Sequence, residues 1–293
     1  MKKKLVFLIL MLNFNIFSVV HNKYMDVFDV IFDSTLTSSE RAVLINNLLL
    51  TGIDINARHK EGFSILMLAV SYNSRNMTEL LIANGANINI PNTVSNKPST
   101  TALILAVQNY SLVITNILIT NGANIDDPDE YGFTPLMHAI TYGYQDIIDL
   151  LLLNNANVNT TNYYNNTPLM MAASYNATHV TETLITRGAL LEAQNNRGCT
   201  PLILAAQFNS RNTAELLITS GANINAQDNL GNTPLIKAAE AGAFEIIPLL
   251  ISSGANINTR DMQGKTALWY AYYVDPLDVM GNIALLENAG AIE

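Results

Sequence analysis

The stretch TPLMHAITYGYQDIIDLLLLNNANV, residues 134–158, decides the fold of this 293-residue chain. Thr134 is of a residue type favoured as a helix N-cap, and Pro135 takes the first helical position, where its missing N–H costs nothing. The apolar run Leu150-Leu151-Leu152 predicts a second helix, and Asn155 tolerates the left-handed conformation that ends one. The stretch therefore predicts two short helices joined by a turn.

The opening phrase of this stretch recurs along the chain. Its threonine returns every 33 residues, at Thr101, Thr134, Thr167, Thr200, Thr233 and Thr266. Ser64 holds the same place 37 residues before Thr101. An alanine stands five residues after each of these positions, where its small side chain lets a neighbouring helix approach closely.

A closing phrase begins 21 residues after the opening one in six units. Most copies read Gly-Ala-Asn-Ile-Asn or a close variant, and they begin at Gly85, Gly122, Asn155, Gly188, Gly221 and Gly254. Two phrases that recur in phase at this period indicate a repeat architecture, in which each unit packs only on its neighbours.

These two phrases resemble the ankyrin repeat, and the resemblance covers most of the chain. It implies an all-α fold, a solenoid of stacked helix-turn-helix units with short β-hairpin or loop projections. We expect seven units in residues 59–293, the last with an insertion, preceded by a degenerate N-terminal capping repeat in residues 21–58.

The chain departs from the family pattern in several places. The family usually has a histidine after Thr-Pro-Leu, whereas this chain has Met67, Ile104, Met137, Met170, Ile203, Ile236 and Trp269. Extra residues lengthen the hairpin near residues 91–100 and distort the last unit at residues 275–280. Pro248 falls early in a second helix and is tolerable only within the first turn.

Residues 1–20 have the pattern of an export signal. Lys2-Lys3-Lys4 precedes an apolar stretch, Leu5 to Val20, that is shorter than the ~20 residues needed to cross a bilayer. The cleavage site at Ser18-Val19-Val20 is poor, so an uncleaved N-terminal anchor is the alternative. We therefore expect an exported protein, periplasmic or extracellular, and the low-charge composition rich in Asn and Ile hints at a bacterial source.

The net charge of -9 bears on the partner. A body this acidic repels phosphate backbones, so nucleic-acid binding is not expected. It favours a partner protein with a basic patch.

No catalytic set is recognisable in the sequence. The four histidines are not spaced as helix-face metal ligands, and no phosphate-binding loop is present. We interpret His138 as a packed helix residue and Cys199, the single cysteine, as an ordinary turn residue. The sequence predicts no enzyme activity, no cofactor and no metal site.

The resemblance places contact positions at the ends of the first helices and at the hairpin tips. At the helix ends these are Tyr72, Tyr142, Tyr175 and Phe208, and at the tips Tyr131, Phe133, Tyr163 and Tyr164. One interpretation is an aromatic strip that anchors a partner, because tyrosine offers large contact area at low entropic cost. The other is that the rings pack between units and only stabilise the stack.

The leading hypothesis is therefore a monomeric protein-protein interaction module that binds its partner on the concave face of the array. A secreted effector that engages host proteins is an alternative with the same fold. A purely structural scaffold is a second alternative. An enzyme would need an embedded catalytic domain, and the repeats leave no interval long enough.

Overall fold

The computed structural model describes residues 37, 39–40, 43, 46–47, 54–59, 61–94, 97–274 and 281–292. The predicted export signal, most of the predicted N-terminal repeat and the insertion at residues 275–280 lie outside the described residues. The boundaries assigned to those segments stay predictions.

The described residues hold seven consecutive helix pairs. The first helices are α1 Ile65–Ser71, α3 Ala102–Gln108, α5 Pro135–Tyr142, α7 Pro168–Ser174, α9 Pro201–Gln207, α11 Pro234–Glu240 and α13 Ala267–Val274. The second helices are α2 Arg75–Ala83, α4 Leu112–Thr120, α6 Gln145–Leu153, α8 Thr178–Thr186, α10 Arg211–Thr219, α12 Ile247–Ser252 and α14 Asn282–Asn288. Successive first helices pack on one another, and each packs on its own second helix. The predicted stack of helix-turn-helix units is confirmed.

The opening threonines act as helix N-caps, as their residue type predicts. The Thr167 hydroxyl accepts a hydrogen bond of 3.3 Å from the backbone N–H of Met170, and Ser64 does the same for Met67 at 3.2 Å. Proline follows the cap in four of the first helices, α5, α7, α9 and α11. Pro248 lies in the first turn of α12, the one place where the helix tolerates it.

The closing phrases end the second helices in the left-handed conformation. Gly85 follows α2 at φ +88°, and the N–H of Ala86 donates back to the carbonyl of Leu81 at 3.0 Å. This 6→1 bond is the one that closes a Schellman cap. Asn155 takes the same role after α6 at φ 64°, as its residue type predicts.

The loops between units project beside the first helices. In the unit with extra residues the loop is an antiparallel hairpin of β1 Asn92–Val94 and β2 Lys97–Thr100. In later units the tips of successive loops are joined by single backbone bonds. Tyr163 N–H donates to the carbonyl of Tyr131 at 3.0 Å, and Met262 N–H to that of Leu230 at 2.9 Å.

The core lies between successive helix pairs. Its regular members are the leucine and the alanine of each opening phrase, such as Leu136 and Ala139 in α5, both without exposed surface. The apolar residues that replace the family histidine are buried as well, with the exception of Trp269. These units therefore contribute packing where the family has a polar side chain.

Candidate partner-binding surface

One acidic or amide residue organises the loop before each first helix from the third helix pair, α5 and α6, onward. Before α5, Oδ1 of Asp129 accepts the backbone N–H groups of Tyr131 and Phe133, both at 2.9 Å. The backbone N–H of Asp129 in turn donates to the carbonyl of Phe133, also at 2.9 Å. The equivalent residues, 33 positions apart, are Asn162, Asn195, Asp228 and Asp261, and each accepts two such bonds.

The second side-chain oxygen of each aspartate meets a donor nine residues later, on the first helix. Nε2 of His138 lies 2.9 Å from Oδ2 of Asp129, and the Tyr270 hydroxyl donates to Oδ2 of Asp261 at 2.8 Å. Nζ of Lys237 stands 3.8 Å from Oδ2 of Asp228. The nearly buried carboxylates of Asp129 and Asp261 thereby accept hydrogen bonds from both the loop and the helix. Oδ2 of Asp228 accepts its bond from within the loop, from Nδ2 of Asn232 at 3.0 Å, and has Lys237 as a nearby positive charge.

Hydrogen bonding in the last of these pairs shifts two pKa values. Burial and the bond to Asp261 raise the pKa of Tyr270 far above its ordinary value. Burial of Asp261 acts to raise the pKa of its carboxyl, but the bonds from Lys265 N–H, the Tyr270 hydroxyl and Gln263 N–H outweigh it. The net effect lowers the pKa of Asp261.

Two units lie between the Asp129–His138 pair and the Asp228–Lys237 pair, and both lack the acid and its donor. Asn162 and Asn195 replace the acid, and the positions nine residues later are the apolar Met171 and Leu204. An amide with an apolar neighbour avoids a buried charge without a partner. In each of these two units, an asparagine replaces the acid and an apolar residue replaces the donor.

A groove of about 550 Å³ opens at these two units, between the loops and the first helices. We call it the inner groove. Its lining is Phe133, Thr141, Asn162, Asn166, Met170, Met171, Ser174, Tyr175, Arg197, Leu204 and Phe208. Six of these side chains are apolar or aromatic and five are polar, so the groove combines apolar surface with polar groups at defined places, as ligand-binding pockets do.

Three of the eight predicted contact residues meet in the inner groove: Phe133, Tyr175 and Phe208. Tyr175 and Phe208 are about half exposed at the ends of α7 and α9. Phe133, which the sequence places at a loop tip, is half-buried and packs on the core. The reason is its place after the loop turn, where its backbone is bound to Asp129 and its ring centroid lies 5.6 Å from that of His138 in α5.

Tyr142 belongs to a different arrangement. Its ring stacks on His138 at 6.3 Å between centroids and on Tyr144 at 5.3 Å, and Tyr144 in turn lies 4.5 Å from Tyr110. Tyr110 donates its hydroxyl to Asp146 at 3.1 Å. This aromatic row ties two units together, so at Tyr142 the contacts support the stabilising interpretation as well as the binding one.

The other four predicted residues are exposed and lie outside the groove lining. Tyr131, Tyr163 and Tyr164 stand at successive loop tips, and Tyr72 at the end of α1. Their rings extend the apolar surface along the side of the stack that carries the loops. We call this side, formed by the loops and first helices, the inner face.

Cys199 is not the turn residue that the sequence predicts. It is 1% exposed and packs with Met170 and Ile203 in a small apolar cluster. It stands at the position equivalent to Phe133 and faces the core for the same reason. Burial raises the pKa of its thiol, which makes it a poor nucleophile.

A larger hollow, of about 770 Å³, lies on the second helices. Leu112, Val113 and Leu153 are its exposed apolar residues. Its acidic groups are engaged locally: Asp146 receives the Tyr110 hydroxyl, and Asp149 the amide of Gln145 at 2.8 Å. The inner groove differs because one of its buried polar groups, the Nδ2 of Asn162, has no hydrogen-bond partner within the part of the chain that the structure describes.

The described residues contain no group of three or more His, Cys, Asp or Glu side chains placed to hold a metal ion. Within that part of the chain, no helix is both long and apolar enough to cross a membrane. His138 is a packed helix residue bound to Asp129, consistent with its sequence interpretation.

The comparison with known families agrees with this geometry. A family model described as Ankyrin repeats (3 copies) matches residues 90–162, 153–228 and 220–281, and a second, Ankyrin repeats (many copies), matches residues 48–96. The chain therefore belongs to the ankyrin-repeat family. None of the curated proteins compared with the chain matches it.

Proposed function

We propose that the chain is a non-catalytic module that binds a partner protein on its inner face, the side expected to be concave in this family. Ankyrin repeats are in general protein-protein interaction modules. The observation that carries the proposal is the inner groove, where Phe133, Tyr175 and Phe208 meet between loops and helices.

The mechanism is anchoring on a preformed surface. Tyr175 and Phe208 project from helix ends whose backbones are held by the stack, so little conformational freedom is lost on binding. Their half-exposed rings can each bury further apolar area against a partner. A few such anchors dominate the binding energy of protein interfaces.

The proposal also covers the location of the protein, the charge of its partner and its oligomeric state. The export pattern of residues 1–20 supports a periplasmic or extracellular protein, and a secreted effector that engages host proteins would use the same surface. The net charge of -9 supports a partner with a basic patch outside the groove. We propose that the chain acts as a monomer, since each unit finds its packing partners within the stack.

A purely structural scaffold is the second candidate. The aromatic row through Tyr142 and Tyr144 favours it locally, because these rings join neighbouring units. A scaffold does not require a groove lined by half-exposed rings. Binding requires the rings of Tyr175 and Phe208, whereas a purely structural role does not.

Affinity capture with a tagged full-length chain, followed by mass spectrometry, identifies the partner, and titration of that partner then tests the surface. We expect Tyr175→Ala and Phe208→Ala to weaken binding about tenfold or more each, as hot-spot residues do. Because both rings are half exposed, the melting temperature should change little.

Leu153→Ala is the matched control. Leu153 is an exposed apolar residue of similar size on the second helices, lining the other hollow. It should leave affinity unchanged. If Leu153→Ala abolishes binding while Tyr175→Ala and Phe208→Ala do not, the partner docks on the second helices and the proposal is wrong.

A further inference from the structure

Two side chains that line the inner groove carry hydrogen-bond donors without a partner among the described residues. Asn162 is 2% exposed, and its Oδ1 is fully used by the N–H groups of Tyr164 and Asn166 at 3.0 Å each. Its Nδ2 has no partner among the described residues. A buried amide N–H without a partner costs on the order of 1–3 kcal/mol, so an incoming acceptor is favoured there.

The lack of a partner for Asn162 has a cause in the repeat. In the next unit the Nδ2 of Asn195 donates to Oδ1 of Asn166, one unit back, at 2.9 Å. One unit earlier, the position of the acceptor Asn166 is taken by Phe133. Its ring offers Asn162 no side-chain acceptor. The donor is therefore left without a partner at the boundary between these two units, on a residue that lines the groove.

Arg197 is the one formally charged residue in the groove lining. Its backbone N–H is bound to Asn195 at 2.9 Å, which fixes the residue on the loop. Its guanidinium makes no ion pair or hydrogen bond among the described residues, whereas Lys237 and Arg75 each hold a carboxylate. A guanidinium can only donate, so Arg197 offers the groove hydrogen-bond donors, as the Nδ2 of Asn162 does.

We propose that the inner groove recognises a short segment of the partner that carries a carboxylate next to a large apolar side chain. The carboxylate binds Arg197, and a neighbouring carbonyl or carboxylate oxygen accepts from Asn162. The apolar side chain packs against Met171 and Leu204, between the rings of Tyr175 and Phe208. This inference rests on the proposed function, and it assigns the groove an acidic ligand although the whole chain is acidic.

The missing acid-donor pairs give the groove its selectivity. The units on either side place Asp129 with His138 and Asp228 with Lys237, where a carboxylate already occupies the donor. In the units of Met171 and Leu204 the acid is replaced by Asn162 and Asn195, so no loop carboxylate repels the carboxylate of a ligand. The joint replacement of both members in two adjoining units thus clears a site for a ligand of the same chemistry.

Selection of a random peptide display library on the full-length chain tests the proposal. We expect enriched peptides to contain Asp or Glu beside Leu, Ile, Met or Phe. Arg197→Glu should lower the affinity of synthetic copies of these peptides about tenfold or more, because attraction becomes like-charge repulsion. The same selection on Arg197→Glu should enrich Lys or Arg instead.

Arg187→Glu provides the charge control, since it makes the same change in net charge on the second-helix side, where Arg187 lines the other hollow. It should leave peptide affinity unchanged. Enriched peptides that are basic on the native chain, peptides indifferent to Arg197→Glu, or no enrichment at all would each overturn the acidic-segment proposal.

A double variant, Asn162→Asp with Met171→His, tests the groove by restoring the acid and the donor that the neighbouring units carry. It copies the Asp129 and His138 combination of the preceding unit, so the chain should fold. We expect it to block peptide binding at least tenfold. Unchanged binding overturns the acidic-segment proposal. If peptides respond to Phe208→Ala but to neither Arg197→Glu nor the double variant, the inner-face function stands and only the acidic chemistry fails.

Discussion

The backbone N–H of Asn256 donates a hydrogen bond of 2.7 Å to the side-chain oxygen of Asn225, in the closing phrase one unit earlier. The same bond joins the other closing phrases, with Asp126 or Glu192 as the acceptor in two units. Further copies run from Asn87 to Asn56, from Asn124 to Asn89, from Leu190 to Asn159 and from Ile292 to Asn258. The final residue of the phrase therefore couples each unit to the next.

This ladder predicts a difference between two substitutions at one site. Asn225→Ala removes the acceptor and should lower the free energy of unfolding by about 0.5–1.5 kcal/mol, the net worth of one hydrogen bond. Asn225→Asp keeps an acceptor oxygen, as Asp126 does, and should cost less. Urea unfolding measures both, and hydrogen exchange of the Asn256 amide reports the bond directly. Equal losses for Ala and Asp would show that the bond contributes nothing.

The pairing of Asp129 with His138 predicts energetic coupling. Asp129→Asn leaves the His138 ring without its carboxylate, and His138→Met leaves a nearly buried oxygen without a donor. Each single change should cost about 1–3 kcal/mol. The double variant recreates the combination found at Asn162 and Met171.

Thermodynamic analysis of the four proteins gives the coupling. The double variant should lose less than the sum of the two single losses, by about 1 kcal/mol. Changes that add within about 0.5 kcal/mol would mean that the two side chains do not depend on each other. The matched control is Ile140→Val in the same helix, which should add to either single change without coupling.

Two glycines with positive φ, Gly188 at a helix end and Gly198 in a loop, predict a further contrast. Gly198 has φ +75°, and a Cβ built there would lie 2.6 Å from the backbone nitrogen of Asn229 in the next loop. Gly188 has a similar φ of +84°, with nothing within 4 Å of its Cβ position. Gly188→Ala therefore adds only the left-handed strain, about 1–2 kcal/mol.

Gly198→Ala adds the same strain and also forces two loop backbones apart. We expect its midpoint in urea to fall clearly below that of Gly188→Ala. The N–H of Asn229, bound to the carbonyl of Arg197 at 2.9 Å, should also lose protection from hydrogen exchange. Equal midpoints would mean that the loops adjust without cost.

Much of the fold was predictable because its signals are local. Thr134 caps its own helix three residues on, and Gly85 ends a helix through bonds within the same turn. The bond from Asn256 to Asn225 was not predicted, because its partners are 31 residues apart and meet only when units stack. Phe133 and Cys199 were misplaced for the same reason: both precede a cap, and the sequence alone does not tell which side of the loop faces the core.

The candidate site was only half accessible from the sequence. Tyr175 and Phe208 were found as aromatic residues at equivalent helix ends. Arg197 was missed because a single arginine in a loop carries no pattern. The exchange of Asp and Asn at the loops was visible, however, since Asp129 and Asn162 are 33 residues apart and each has its partner position nine residues later.

The bond from Tyr270 to Asp261 predicts how stability depends on alkaline pH. The pKa of Tyr270 is raised in the folded chain, while in the unfolded chain it takes its ordinary value of about 10. Below pH about 10 the phenol is protonated in both states, and the full contribution of the bond is present. As pH rises through and beyond 10, the unfolded state loses this proton first, so the free energy of unfolding falls until the folded pKa is passed.

Tyr270→Phe removes this dependence along with the hydrogen bond. Urea unfolding at pH 8 to 11 should show a steeper decline for the native chain than for Tyr270→Phe, so that the two stabilities converge as pH rises. Tyr273→Phe is the control, since Tyr273 is an exposed residue of the same helix that stacks on Trp269 at 5.6 Å and leaves the bond to Asp261 intact. It should follow the native curve. Parallel curves for the native chain and Tyr270→Phe would mean that the Tyr270 phenol titrates alike in both states, because linkage allows a change of slope only where proton binding differs between them.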